Sequence, residues 1–152
     1  MAVLDDKDCV ILEVLQEQGD LPNVELARRL GMSPAATLRR VQRLRAEGVI
    51  TGVRALVDPV KVGTRVEAFV LVALEEHSDA GDARFIRAIA GIPAVLRADA
   101  VAGPDDVLLH VAAADSRELQ GVLRLLTRAG ARRLTTLLRL EGMKAAAPIP
   151  VR

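Results

Sequence analysis

Apolar residues recur at helical spacing through the first third of the chain and at alternating spacing through much of the rest. Ile11, Leu12 and Leu15 fall on one face of a helix predicted from Leu4 to Gln18. Asp5 is its expected N-cap, Asp6 and Asp8 sit in the first turn where the helix dipole favours acids, and Leu4 is placed to staple onto Cys9. The stretch "QGDLPN" breaks this helix. Asn23 is expected to cap a second one, from Val24 to Leu30, which Gly31 ends. Ser33 then caps a third, with Pro34 at its first position and Gly48 beyond its end. On this third helix the spacing puts Leu38, Val41 and Leu44 on the core face, so that Ala35, Ala36, Arg39, Arg40 and Arg43 point away from it.

After Gly48 the stretch "VITGVRALVD" has β character and leads into the Pro/Gly-punctuated linker "DPVKVG". Strands are then predicted at Val66 to Leu74, Ala94 to Val101, Val107 to Ala113 and Arg133 to Glu141. Helices are predicted from Asp79 to Ala90 and, capped by Asp115, to about Arg128. The order βαββαβ belongs to a ferredoxin-like antiparallel sheet with both helices on one face. The chain is thus read as α+β, with residues 1–52 a helix-turn-helix domain, 53–64 a β-strand or linker, 65–144 the ferredoxin-like domain and 145–152 a tail.

Such a sheet needs one apolar face, yet Val66, Ala68, Val70 and Val72 alternate with Phe69, Leu71 and Ala73, and Val107, Leu109 and Val111 alternate with Leu108 and Ala112. Helices cover one set; the other is expected to bury against a second copy of the chain.

Charge changes the picture of the first domain. The net charge of the 152 residues is only +1. Residues 1–25 nevertheless hold seven acids against Lys7, and residues 26–46 hold six arginines and no acid. This predicts a surface that faces a polyanion, with the acidic part turned away. Two helices about the short turn "GMS" form a helix-turn-helix, whose second member enters the DNA major groove. Small residues at its start permit close approach to bases, and the arginines behind them reach guanine or phosphate. Ser33, Pro34, Ala35, Ala36, Thr37, Arg39, Arg40 and Arg43 are therefore the expected double-stranded-DNA contacts. With no Trp or Tyr, and Phe69 and Phe85 read as core, single-stranded nucleic acid is not the expected target.

A lone cysteine, Cys9, excludes an intrachain disulfide and a Cys-rich zinc site, and is read as a small buried apolar residue. No apolar run reaches the length of a membrane span, and the acidic start lacks the basic residues of a signal peptide. The expectation is a cytoplasmic, nucleoid-associated protein with no membrane partner.

With "LDDKDCVIL", "NVELARRLGMSPAATLRRVQRLRAEGVITG", "VDPVKVG" and "VAGPDDVLL" in place, the chain resembles, over nearly its whole length, the Lrp/AsnC family of feast/famine transcriptional regulators. The resemblance implies a winged-helix-like reader followed by a domain that oligomerises and senses amino acids. It also implies assembly as dimers, often as octamers of four dimers, with effectors bound between dimers near a Gly-x-x-Asp turn. Gly103 and Asp106 match that turn, while Pro104 and Asp105 depart from its common pattern. An amino-acid sensor needs donors for a carboxylate and acceptors for an ammonium. Gly103 offers close backbone approach and an N–H, and Asp105 or Asp106 an acceptor. Ala102, Thr135 and Thr136 complete the expected effector set. The same "GPDD" also suits an ordinary hairpin turn.

Two other functions share parts of this pattern. Sirohaem decarboxylases resemble the same two-domain architecture, but tend to carry a histidine in the linker where this chain has Pro59, and they need not keep a DNA-reading face. The arginines retained here argue against that enzyme. The two histidines, His77 and His110, lie in different elements and no hydrolase, phosphate-loop or metalloprotease motif is present, so no catalytic residue, cofactor or metal is expected. An architectural protein that coats DNA through phosphate contacts is the third reading.

Overall fold

In a computed structural model, which describes residues 4–76 and 78–151, the chain forms two compact units. One comprises residues 1–56 with 144–152, the other residues 57–143.

Three helices build the first unit: α1 (Asp6–Glu17), α2 (Asn23–Leu30) and α3 (Pro34–Ala46). Their apolar stripes meet in a core of Ile11, Leu12, Leu26, Leu30, Val41 and Leu44. Asp5 caps α1 as expected, in a reciprocal box: its side chain accepts from the Asp8 N–H at 2.9 Å, and the Asp8 carboxylate accepts from the Asp5 N–H at 3.2 Å. Asn23 does not cap α2. It is already the first helical residue, Pro22 precedes it, and its side-chain amide instead donates to the Pro34 carbonyl at 2.9 Å, tying α2 to the start of α3. Gly31 ends α2 at φ 63°, a left-handed conformation that glycine adopts without steric cost, and this lets the chain turn within two residues to Ser33.

The core face of α3 differs from the one expected. Thr37, Val41 and Leu44 are buried, whereas Leu38 is 45% exposed. Positions 37, 41 and 44 share a face as well as 38, 41 and 44 do, and a hydroxyl decides between them. Thr37 Oγ1 donates to the Ser33 carbonyl at 3.1 Å, so its one polar group is satisfied inside the helix and its methyl can pack. Cys9, expected to be buried, is only half-buried.

No strand forms between Val49 and Asp58. A strand needs a partner ladder, and none of the sheet pairings in this chain includes these residues. The C-terminal residues, expected as a tail apart, belong to the first unit. Gln16 on α1 donates to the Ile149 carbonyl at 3.0 Å and accepts from the Ile149 N–H at 2.7 Å, and Val151 packs against the helical core.

In the second unit a short 3-10 turn at Val60–Val62 precedes β1 (Val66–Leu74), α4 (Asp79–Ala90), β2 (Val95–Ala100), β3 (Val107–Ala113), α5 (Ser116–Arg128) and β4 (Ala131–Leu138). The antiparallel sheet runs β2-β3-β1-β4, the ferredoxin-like order. Ser78 and Asp115 cap the two helices. Helices and sheet enclose Ala68, Val70, Val72, Phe85, Leu109, Val111 and Leu126, each 2% exposed or less. Burying a side chain such as Phe85 or Leu126 contributes roughly 1.5–3 kcal/mol.

The other sheet face carries no helix. Phe69 and Leu137 are 37% and 50% exposed there, with Leu71 and Leu108 half-buried between them. Phe69 stacks on His110, ring centroids 5.0 Å apart, and His110 Nε2 lies 3.0 Å from Glu67, which also accepts from Arg139 at 2.8 Å. His77 lies outside the described residues.

Candidate DNA-reading face and effector turn

The start of α3 is set by three local devices. Gly31 turns the chain, Ser33 Oγ accepts from the Ala36 N–H at 3.2 Å, and Pro34 occupies a first-turn position that needs no donor. Opposite the core stripe, Ala35, Arg39 and Gln42 are exposed, with Ser33 and Pro34 at the helix start and Ala36 half-buried beside them. Thr37, expected as a DNA contact, is at 0% exposure and belongs to the core. Gln42 was missed. It lies seven residues from Ala35 and three from Arg39, hence on their face, and its amide can pair with adenine as an arginine pairs with guanine.

The arginines divide into two kinds. Arg39 forms no hydrogen bond or ion pair among the described residues. Arg40 and Arg43 are held from behind by α1: Arg40 Nη1 reaches Asp5 at 2.7 Å and Asp8 at 2.9 Å, and Arg43 Nη2 pairs with the other oxygen of Asp8. Asp8 is 1% exposed. The acidic segment is therefore not turned away from the basic one, because its first turn lies directly beneath it. Burial opposes the charge of Asp8, but the hydrogen bonds from Arg43, the Asp5 N–H and Arg40 outweigh it and hold the carboxyl below its ordinary value. The Asp8 N–H, then Arg40, do the same for Asp5. Met32, Ala36, Arg39, Arg40, Arg43 and Asp5 line a shallow concavity on this surface.

In the second unit, residues 101–106 join β2 to β3. Ala102, Gly103 and Pro104 are exposed, and a side chain at Gly103 would meet nothing within 4 Å, so the chain's own backbone leaves space there. Asp106 is built into the sheet: its N–H donates to Val72 at 2.9 Å and its carboxylate accepts from the Leu74 N–H at 2.8 Å. Asp105 is 8% exposed and takes Arg133 Nη2 at 3.0 Å, while the same Arg133 nitrogen donates to the Pro104 carbonyl at 3.0 Å. Asp105 is thus occupied by a cation within the chain.

Arg133 is the β4 residue that reaches the turn, and sequence reasoning did not name it. Thr135 shares its face of the strand, exposed and opposite Leu71; Thr136, opposite Val70, points to the helix side, so the two threonines do not share one site.

On the helix side of Asp106 lies a cavity of about 630 Å³. Phe85, Ile86 and Ile89 form its apolar wall, and Asp79, Asp82 and Asp99 its acidic rim. Among the described residues, no lysine or arginine lines it. Cationic and N–H donors for a carboxylate are found instead at the turn, on Arg133 and the exposed backbone of Gly103.

A helix-turn-helix with a basic outward face, joined to a ferredoxin-like domain with an open sheet face and a polar turn, defines a DNA-binding regulator with a ligand-binding domain. Residues 4–51 match the winged helix-turn-helix DNA-binding family and residues 67–149 the Lrp/AsnC ligand binding domain. The chain belongs to the Lrp/AsnC family of transcriptional regulators. It is 41% identical to the leucine-responsive regulatory protein of Rhizobium meliloti (strain 1021) over 117 residues, 77% of this chain and 75% of that one. With the HTH-type transcriptional regulator AldR of Mycobacterium tuberculosis it shares 36% identity over 150 residues, 97% of this chain and 84% of that one. A transcriptional regulator of Neisseria meningitidis, solved as an L-Met complex, superposes with a TM-score of 0.90 at 31% identity, covering 97% of each chain. These relatives are regulators, and the chain is not an enzyme.

Among the described residues no helix is long and apolar enough to cross a membrane.

Proposed function

We propose that this regulator reads specific double-stranded sites as an oligomer, and that an amino acid or related small molecule, bound between dimers near Gly103 and Asp106, modulates its occupancy. The observation that carries this reading is the split among the arginines of α3, with Arg39 uncommitted beside Ala35 and Gln42, and Arg40 and Arg43 oriented by carboxylates. An architectural binder needs only mobile cations; fixed guanidinium groups suit base edges.

The homodimer is supported by the helix-free sheet face around Phe69 and Leu137, and by Leu56, wholly exposed in an extended segment without a ladder partner. Two recognition helices on a dimer would enter successive major grooves about one helical turn apart, roughly 10 bp or a multiple. Octamers of four dimers would engage longer DNA. Arg133 and the Gly103 backbone supply donors for an effector carboxylate, and Asp106 or Thr135 polar groups for the rest of it. The relative solved with L-Met supports the amino-acid class. The effector acts by binding one assembly state more tightly than another.

Light scattering of the purified chain, with and without a mixture of the common amino acids, tests the assembly. Particles of at least dimer mass whose size distribution changes with the mixture are expected. A monomer overturns the oligomer, and a distribution and a DNA affinity that both ignore the mixture overturn the coupling.

A further inference from the structure

Asp8 is an ionised group at 1% exposure, and a buried ion pair is weak evidence for stability, since apolar residues of similar volume often serve as well. Its partners indicate another use. Both of its oxygens are taken by arginines of α3, 32 and 35 residues away, and Asp5 adds a second carboxylate to Arg40. A guanidinium has five N–H donors in a rigid plane. Arg40 spends only Nη1 on the acids and Arg43 only Nη2, so among the described residues Nε and the other terminal nitrogen of each make no hydrogen bond.

We propose that Asp8, with Asp5, is a specificity-determining positioning pair for DNA reading. The inference rests on the reading of α3 as the helix that reads DNA. The two carboxylates fix the planes of Arg40 and Arg43 so that the remaining donors meet base edges, which require a set orientation. They also offset most of the charge of those arginines, and Asp5, 54% exposed in the same concavity, repels phosphate. An unheld arginine follows phosphates on any sequence; a held one contributes little until the correct base faces it.

Two substitutions test this while keeping the cap of α1. Asp5→Asn keeps an equally good N-cap, and Asp8→Asn keeps one acceptor oxygen in place. Each full-length variant, its helicity checked by circular dichroism, is titrated against the duplex most enriched from a genomic fragment pool and against a scrambled duplex, at several salt concentrations.

The scrambled duplex is expected to bind about three- to tenfold more tightly near 0.1 M salt, with a salt slope steeper by about one, because one more cation is free to release a counterion. Preference for the enriched duplex is expected to fall by about tenfold, the low end of what one base contact discriminates. A preference that survives Asp5→Asn and Asp8→Asn in folded protein overturns the inference alone, as does equal weakening on both duplexes, which is a structural role only. A parent chain without preference overturns the reading of α3 together with the inference.

Discussion

Arg39 and Asp8 occupy neighbouring helices and respond to opposite changes. Because Arg39 has no partner among the described residues, Arg39→Ala is expected to weaken binding to every duplex and to lower the salt slope by about one, as read by fluorescence anisotropy across a salt series. A change confined to one sequence would make Arg39 a base reader instead. Asp8 bears on stability through pH. Its folded-state carboxyl sits below the ordinary value of about 3.9, so its contribution is full above that value and is lost as pH falls through the lower folded one. The first unit's resistance to urea is expected to decline as pH falls below about 4, and Asp8→Asn to flatten that decline. Equal pH profiles for parent and variant would contradict the assignment. The sequence places Asp8 correctly in the first turn of α1, but its partners are 32 and 35 residues on, and no periodicity connects them.

At the scale of elements, what could be read depended on whether an element's cause is local. Strand β1, helix α4 and strand β3 follow from their local apolar pattern, and form where expected. Between Val49 and Asp58 the β character is equally clear, yet a strand is a property of two segments, and this chain supplies no second one beside it. Thr37 and Leu38 were interchanged because hydropathy ranks them without regard to the Ser33 carbonyl that accepts the threonine hydroxyl. The turn at Gly103–Asp106 was located from composition, whereas Arg133, which holds it, comes from another strand 28 residues away from Asp105. Arg133→Ala leaves the Asp105 carboxylate without its cation. Since Arg133 is half exposed, the expected loss is modest, about 1 kcal/mol in urea unfolding, with faster hydrogen exchange at the Asp105 and Asp106 amides. Unchanged exchange at those amides would show that the sheet bonds of Asp106 alone fix the turn.

For the whole molecule, the sequence correctly announces a reader and a ferredoxin-like domain, but it treats the last residues as an appendage. The chain instead returns, so that Ile149 pairs with Gln16 and Val151 joins the helical core. Truncation after Met143 is expected to destabilise the first unit by about 1–2 kcal/mol, from two hydrogen bonds and one apolar contact, while the second unit unfolds as before. Domain-resolved hydrogen exchange distinguishes this from a general loss. The proposed function couples site preference to a ligand. The most direct test is selection of pooled genomic DNA fragments by the purified protein in moderate salt, with and without a mixture of the common amino acids. An enriched motif with two related half-sites, whose occupancy changes with the mixture, is expected. Salt-sensitive binding with no motif, or a motif indifferent to every amino acid, would contradict it.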